Sequence, residues 1–147
     1  EGHVVRADKD RHVLSSIESA DILEETLVVL KPNDTISTLF TTIQHAHQAL
    51  IPIVSDSGIL LGMIYLDDLP TILPVYSAEP NTPLELVMEP IRYSLNPRNT
   101  VEQIMDMFEH SKLNYLPVID NDQVLGYYSK RRLLEAYRNK VMDSMVE

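Results

Sequence analysis

Two runs of like charge stand out in the sequence, the adjacent carboxylates Asp67-Asp68 and the cationic run Lys130-Arg131-Arg132. Both lie where an apolar stretch gives way to a helix pattern. Adjacent carboxylates hold a hard cation only with further oxygen ligands. Neither Asp67-Asp68 nor Glu24-Glu25 has a third acidic ligand adjacent to it in sequence. Cations at a helix start face the positive end of its dipole, so the basic run reads either as a contact for phosphate or an anionic headgroup or, more plainly, as a solvated helix start. The five histidines are His3, His12, His45, His47 and His110. His45 and His47 are two apart on a helix pattern and point in different directions. There is no cysteine, which excludes disulfides, thiol catalysis and thiolate metal sites. The sequence has only four glycines and no glycine-rich phosphate loop. Catalysis needs a positioned base, nucleophile or metal. None is visible, so the chain reads as a non-enzyme without a metal site.

The chain has 147 residues, 44% apolar and 23% charged, which reads as a globular protein with a real core. Its formal charge of -10 argues against a nucleic-acid partner, which needs a basic surface. The longest apolar run, Ile59 to Leu66, falls far short of the about 20 residues of a membrane helix. No signal peptide is visible and residue 1 is not Met, so the chain reads as part of a longer protein, with a vector remnant expected at Glu1 to His3.

A repeat supplies the elements that position these groups. At an offset of 65, Glu24 falls on Glu89, Leu30 on Leu95, Pro32 on Pro97, Thr35 on Thr100, His45 on His110 and Pro52 on Pro117. After one deletion the offset is 64, and Leu61 falls on Leu125, Gly62 on Gly126 and Leu69 on Leu133. Each copy opens with an apolar stretch, Thr26 to Leu30 in the first. A helix follows, capped by Thr35 or by Thr100 with Gln103 as a capping box. Ile36, Leu39, Phe40 and Ile43 match Val101, Ile104, Met105 and Phe108 as core-facing positions. Two strands then read as a hairpin, Leu50 to Ser55 with Leu60 to Leu66, and Tyr115 to Asp120 with Val124 to Ser129. Pro52 and Pro117 cannot donate to a ladder and are expected at strand starts or edges. A last helix begins near Asp67 and near Lys130, the second running to about Val141.

The expected fold is therefore mixed α/β: two β-α-β-β-α units with pseudo-twofold symmetry, preceded by a helix over Asp10 to Glu18. Such small units bury little alone, so one shared core is expected. The expected divisions are a leading segment 1–21, a first repeat 22–73, a linker 74–85, a second repeat 86–141 and a tail 142–147.

The tandem β-α-β-β-α unit, with an apolar-Pro-apolar-apolar strand and a Gly-x-x-[Ser/Thr]-x-x-Asp pattern, resembles a pair of CBS domains. Asp8 to Arg11, Leu66-Asp67-Asp68-Leu69 and Ser129 to Arg138 further resemble the flanks of the cytosolic tail in bacterial CLC-type chloride channels and transporters. The CBS resemblance implies two clefts for an adenine nucleotide (ATP, ADP or AMP). One would combine Tyr65 and Asp68 with Arg92, Leu113 and Asn114. The other would combine Ser129 and Arg132 with Leu27, Gln48 and Ala49. Both motifs depart from the pattern. Tyr65 stands where Ser or Thr is usual, and Arg132 replaces the Asp that would accept from ribose hydroxyls. A guanidinium only donates. The plainer expectation is that Asp68 and Ser129 cap their last helices.

Residues 22–70 hold six acids and one base, whereas residues 86–134 hold six of each, so a nucleotide would meet repulsion on the first side. The resemblance implies a regulatory and dimerising module of a chloride channel or chloride/proton antiporter. Its partners would be a second copy, through the CBS helices, and the transmembrane domain of the parent protein at the cytoplasmic face of the cell membrane. The rival readings are a magnesium sensor of a divalent-cation transporter and a ligand-free assembly module.

Overall fold

The computed structural model describes residues 12–25 and 28–146. Residues 12–15 are helical, and a second short helix, α1, spans Ser19–Ile22. A single helix through Glu18 does not form. The Ser15 and Ser16 hydroxyls donate back to the His12 and Val13 carbonyls, and Glu18 is extended at ψ 131. Such local side-chain bonds compete with helix continuation. The expected start at Asp10 and Arg11 lies outside the described residues.

Each copy then folds alike. Helix α2 (Ile36–His45) is capped by Thr35, whose hydroxyl accepts from the Thr38 N–H. Its counterpart α4 (Val101–Ser111) has the full Thr100/Gln103 capping box. Between them, α3 (Leu69–Ala78) follows a 3-10 turn at Leu66–Asp68. It runs through Pro74 and beyond the expected end of the first repeat. Proline there forfeits one helical bond near an exposed end. The last helix, α5 (Lys130–Val146), likewise outruns its expected stop at Val141 and takes in the segment read as a tail.

The hairpins are β1 (Leu50–Val54) with β2 (Leu60–Tyr65), and β3 (Tyr115–Asp120) with β4 (Gln123–Ser129). Leu50 lies opposite Tyr65 and Tyr115 opposite Ser129. Asn121 and Asp122 both take positive φ, 52° and 63°, as a two-residue turn requires. A short parallel contact flanks each hairpin. The Leu30 N–H donates to the Pro52 carbonyl at 3.0 Å, and the Leu95 N–H to Pro117 at 2.9 Å. Pro52 and Pro117 therefore sit inside their strands rather than at the starts, but on the edge strands of two-stranded sheets, as one of the two expected placements allows. The flanking ladder stops where their missing N–H would have been used.

The two copies interlock through their leading segments. Glu24 and Tyr127 exchange backbone hydrogen bonds of 2.9 and 2.7 Å, and Glu89 and Met63 exchange bonds of 2.8 and 2.9 Å. Each leading segment thus pairs with the hairpin of the other copy. A side chain at Gly62 or Gly126 would collide with the crossing backbone at Glu89 or Glu24, so only glycine fits.

The expected single core is instead two cores joined by a smaller one. One gathers Ile36, Leu39, Ile51, Ile53 and Ile64 from the first copy with Leu84 from the connecting segment. The second gathers Ile104, Phe108, Leu116 and Tyr128 with Leu14, Ile17 and Ile22 of the leading segment. Leu50, Met63 and Tyr127 join them at the crossing. Each amphipathic helix closes over its own hairpin, which leaves little apolar surface for a common core.

Candidate functional site

Two cavities lie where the last helix of one copy meets the leading segment of the other. The first encloses about 360 Å³ and is lined by Tyr65, Asp68, Arg92, Leu113 and Asn114, together with Asp67, Glu89 and Tyr93. All five residues expected for the first cleft are brought together. The second encloses about 560 Å³ and is lined by Gln48, Ala49, Ser129 and Arg132, with Glu24, Tyr127, Arg131 and Glu135. All expected members meet there except Leu27, which lies outside the described residues.

The first cleft is acidic and open. Tyr65 ends β2, and its phenol is pushed up to about 12, first by burial and then by Asp68 and Glu89. It stays protonated and can donate. Asp68 is raised above the usual carboxylate range by burial, then by Glu89 and Asp67. Its side chain does not cap α3, contrary to expectation, because a 3-10 turn precedes that helix. The Asn114 amide donates to Asp67 Oδ2 at 3.0 Å, tying the two copies across the cleft mouth. Among the described residues, neither the Asp68 carboxylate nor the Arg92 guanidinium has a hydrogen-bond or ion-pair partner in the protein.

The second cleft is larger, yet its polar groups are occupied. The Ser129 hydroxyl caps α5 by accepting from the Arg132 N–H at 3.1 Å, as expected. The Arg132 guanidinium donates to the Asp21 carbonyl at 3.2 Å and lies 3.9 Å from Glu24 Oε1. Arg131 pairs with Glu135 one turn along α5 at 3.3 Å. The basic run is thus largely paired, which accounts for cations at a helix start. The Ala49 N–H donates to the Tyr127 hydroxyl at 3.1 Å. Gln48, 5% exposed, donates to the Val28 carbonyl and accepts from the Val28 N–H.

Sequence reasoning missed Glu89, Tyr93 and Tyr127 as cleft residues. The repeat alignment carries a signal for the first, since Glu89 is the counterpart of Glu24. Among the described residues, no group of three or more histidine, aspartate or glutamate side chains is arranged to hold a metal ion. Among them too, no helix is long and apolar enough to cross a membrane.

A family model described as CBS domain matches residues 19–74 and 71–139. The chain is 24% identical over 113 residues to CBS domain-containing protein YhcV of Bacillus subtilis (strain 168), covering 77% of this chain and 79% of that one. It is similar to the CBS domain of a CBS-domain-containing membrane protein from Sphaerobacter thermophilus, with a TM-score of 0.70, 19% identity, and coverage of 90% and 97%. It is also similar to CBSX2 in complex with AMP, with a TM-score of 0.63, 18% identity, and coverage of 81% and 94%.

Proposed function

The chain belongs to the CBS-domain family as a tandem pair, and from that premise we propose that it is a regulatory, non-catalytic module that binds an adenine nucleotide in its first cleft. The observation that carries this reading is the unbonded Asp68 and Arg92 facing one cavity built by both copies. A carboxylate accepts from two ribose hydroxyls, and a guanidinium meets phosphate. The AMP held by the similar CBSX2 fits this class of ligand. Asp67, Asp68 and Glu89 surround the lone Arg92, so a monophosphate suits the cleft better than ATP.

A ligand there touches both repeats and favours whichever relative placement closes on it. That differential affinity is the only means by which an effector acts. For the wider setting we retain the cytosolic tail of a CLC-type chloride channel or antiporter, working as a homodimer. Its support is the flanking residues Leu66 to Leu69 and Ser129 to Arg138, and the membrane-protein origin of the Sphaerobacter domain.

The test is a thermal-shift series with AMP, ADP, ATP and magnesium. A ligand at 100 times its dissociation constant adds about 2.7 kcal/mol, which moves the midpoint by roughly 5 to 10 °C for this length. The reading expects the largest shift with AMP and none in Asp68→Ala. A shift with magnesium alone favours the cation sensor. No shift with any of them favours the assembly module.

A further inference from the structure

The two clefts are built alike, but their flanking ladders end differently. In a parallel ladder continuing from Leu30, the next bonds would run from residue 52 to the Val28 carbonyl and from the Val28 N–H to Leu50. Pro52 has no N–H, so the ladder opens there. Gln48 fills the gap. Its Oε1 accepts from the Val28 N–H at 2.7 Å, and its Nε2 donates to the Val28 and Leu50 carbonyls at 3.0 and 3.2 Å.

In the other copy Pro117 opens the ladder at Tyr93 in the same way. The counterpart of Gln48 is Leu113, which has no polar atoms to offer. Among the described residues the Tyr93 N–H and carbonyl have no protein partner, and Tyr93 and Leu113 line the first cavity. A polar backbone pair left open at a half-buried position calls for a partner of matching pattern.

We infer that Gln48 is an internal ligand surrogate, which closes the second cleft to a purine and leaves Tyr93 as the open counterpart that selects the base in the first. The inference rests on the nucleotide reading for its ligand, but not for the state of Gln48. The carboxamide presents an acceptor beside a donor. A 6-aminopurine presents the same pair on its N1 and 6-amino edge. A 6-oxopurine reverses it, offering N–H beside oxygen, and would set donor against donor at Tyr93. Arg132, held by Asp21 and Glu24, completes the closure, because it cannot accept from a ribose. The larger cavity is therefore the silent one.

Amide hydrogen exchange on the full chain, read residue by residue by NMR, tests this. Without ligand, the Val28 amide should exchange several-fold more slowly than Tyr93, and Gln48→Leu should remove that difference. Adding AMP should protect Tyr93 and leave Val28 unchanged, whereas IMP should protect neither. Leu113→Gln should protect Tyr93 without ligand and abolish the AMP effect, with Asp68 and Arg92 intact. Equal exchange at Val28 and Tyr93 in the free chain would overturn the inference, as would two AMP bound per chain or equal response to IMP. If AMP binds nowhere, the nucleotide reading falls, while the Val28 amide still decides whether Gln48 holds the gap.

Discussion

Arg132 Nη1 lies 3.9 Å from Glu24 Oε1, so the residue that replaces the motif aspartate in the second copy reaches the leading segment of the first. The same guanidinium bonds the Asp21 carbonyl at 3.2 Å. The pair is half exposed, and such pairs contribute about 0.2–1 kcal/mol. A double-mutant cycle on Arg132→Ala and Glu24→Ala should return a coupling of about that size, falling as salt is added. A coupling of several kcal/mol would mean that the ion pair, not the backbone crossing, holds the copies together.

The backbone crossing should dominate. Gly126→Ala and Gly62→Ala drive a methyl into the Glu24 and Glu89 carbonyls. Each should cost about 2–4 kcal/mol in urea denaturation, through lost bonds and strained backbone. Gly58→Ala meets open space, but at φ +87. Its cost should stay near 1 kcal/mol.

Asp68 gives a pH signature. Its folded pKa is raised, so between the unfolded and folded values the native state binds more protons than the unfolded one. Stability from this group is therefore greatest when it is protonated, and declines as pH rises through that window. Asp68→Asn should be at least as stable as the parent chain at pH 7 in thermal melts, yet fail to bind nucleotide. AMP affinity in the parent chain should weaken as pH falls through the raised pKa, because the protonated carboxyl accepts poorly from ribose.

Tyr127 links the cavity to the interlock. Tyr127→Phe leaves the Ala49 N–H without its acceptor and should cost about 1–2 kcal/mol by chemical denaturation. Because that bond lies in the second cleft, AMP binding should be unchanged.

Much of this was legible in the sequence. The offset repeat placed Gly62 on Gly126 and Pro52 on Pro117, and those pairs mark the crossing and the ladder gap. The cap at Thr35 and the box at Thr100 set two helix starts, and the first cleft grouping assembles from separate elements, as do the described members of the second. The crossing itself was hidden, because each leading segment contributes a single bridge, Glu24 to Tyr127 or Glu89 to Met63, too short to leave a strand pattern. Gln48 was read as a ligand contact. Its 5% exposure and its bonds to Val28 depend on where residue 28 passes, which no local pattern encodes. The signal was present only as the mismatch of Gln48 with Leu113 in otherwise matched copies.

The most direct test is calorimetric titration of the intact chain with AMP. One AMP should bind per chain, ATP should bind more weakly, and the heat should be lost in both Asp68→Ala and Arg92→Ala. No heat with AMP, or full binding retained in both variants, would contradict the nucleotide reading.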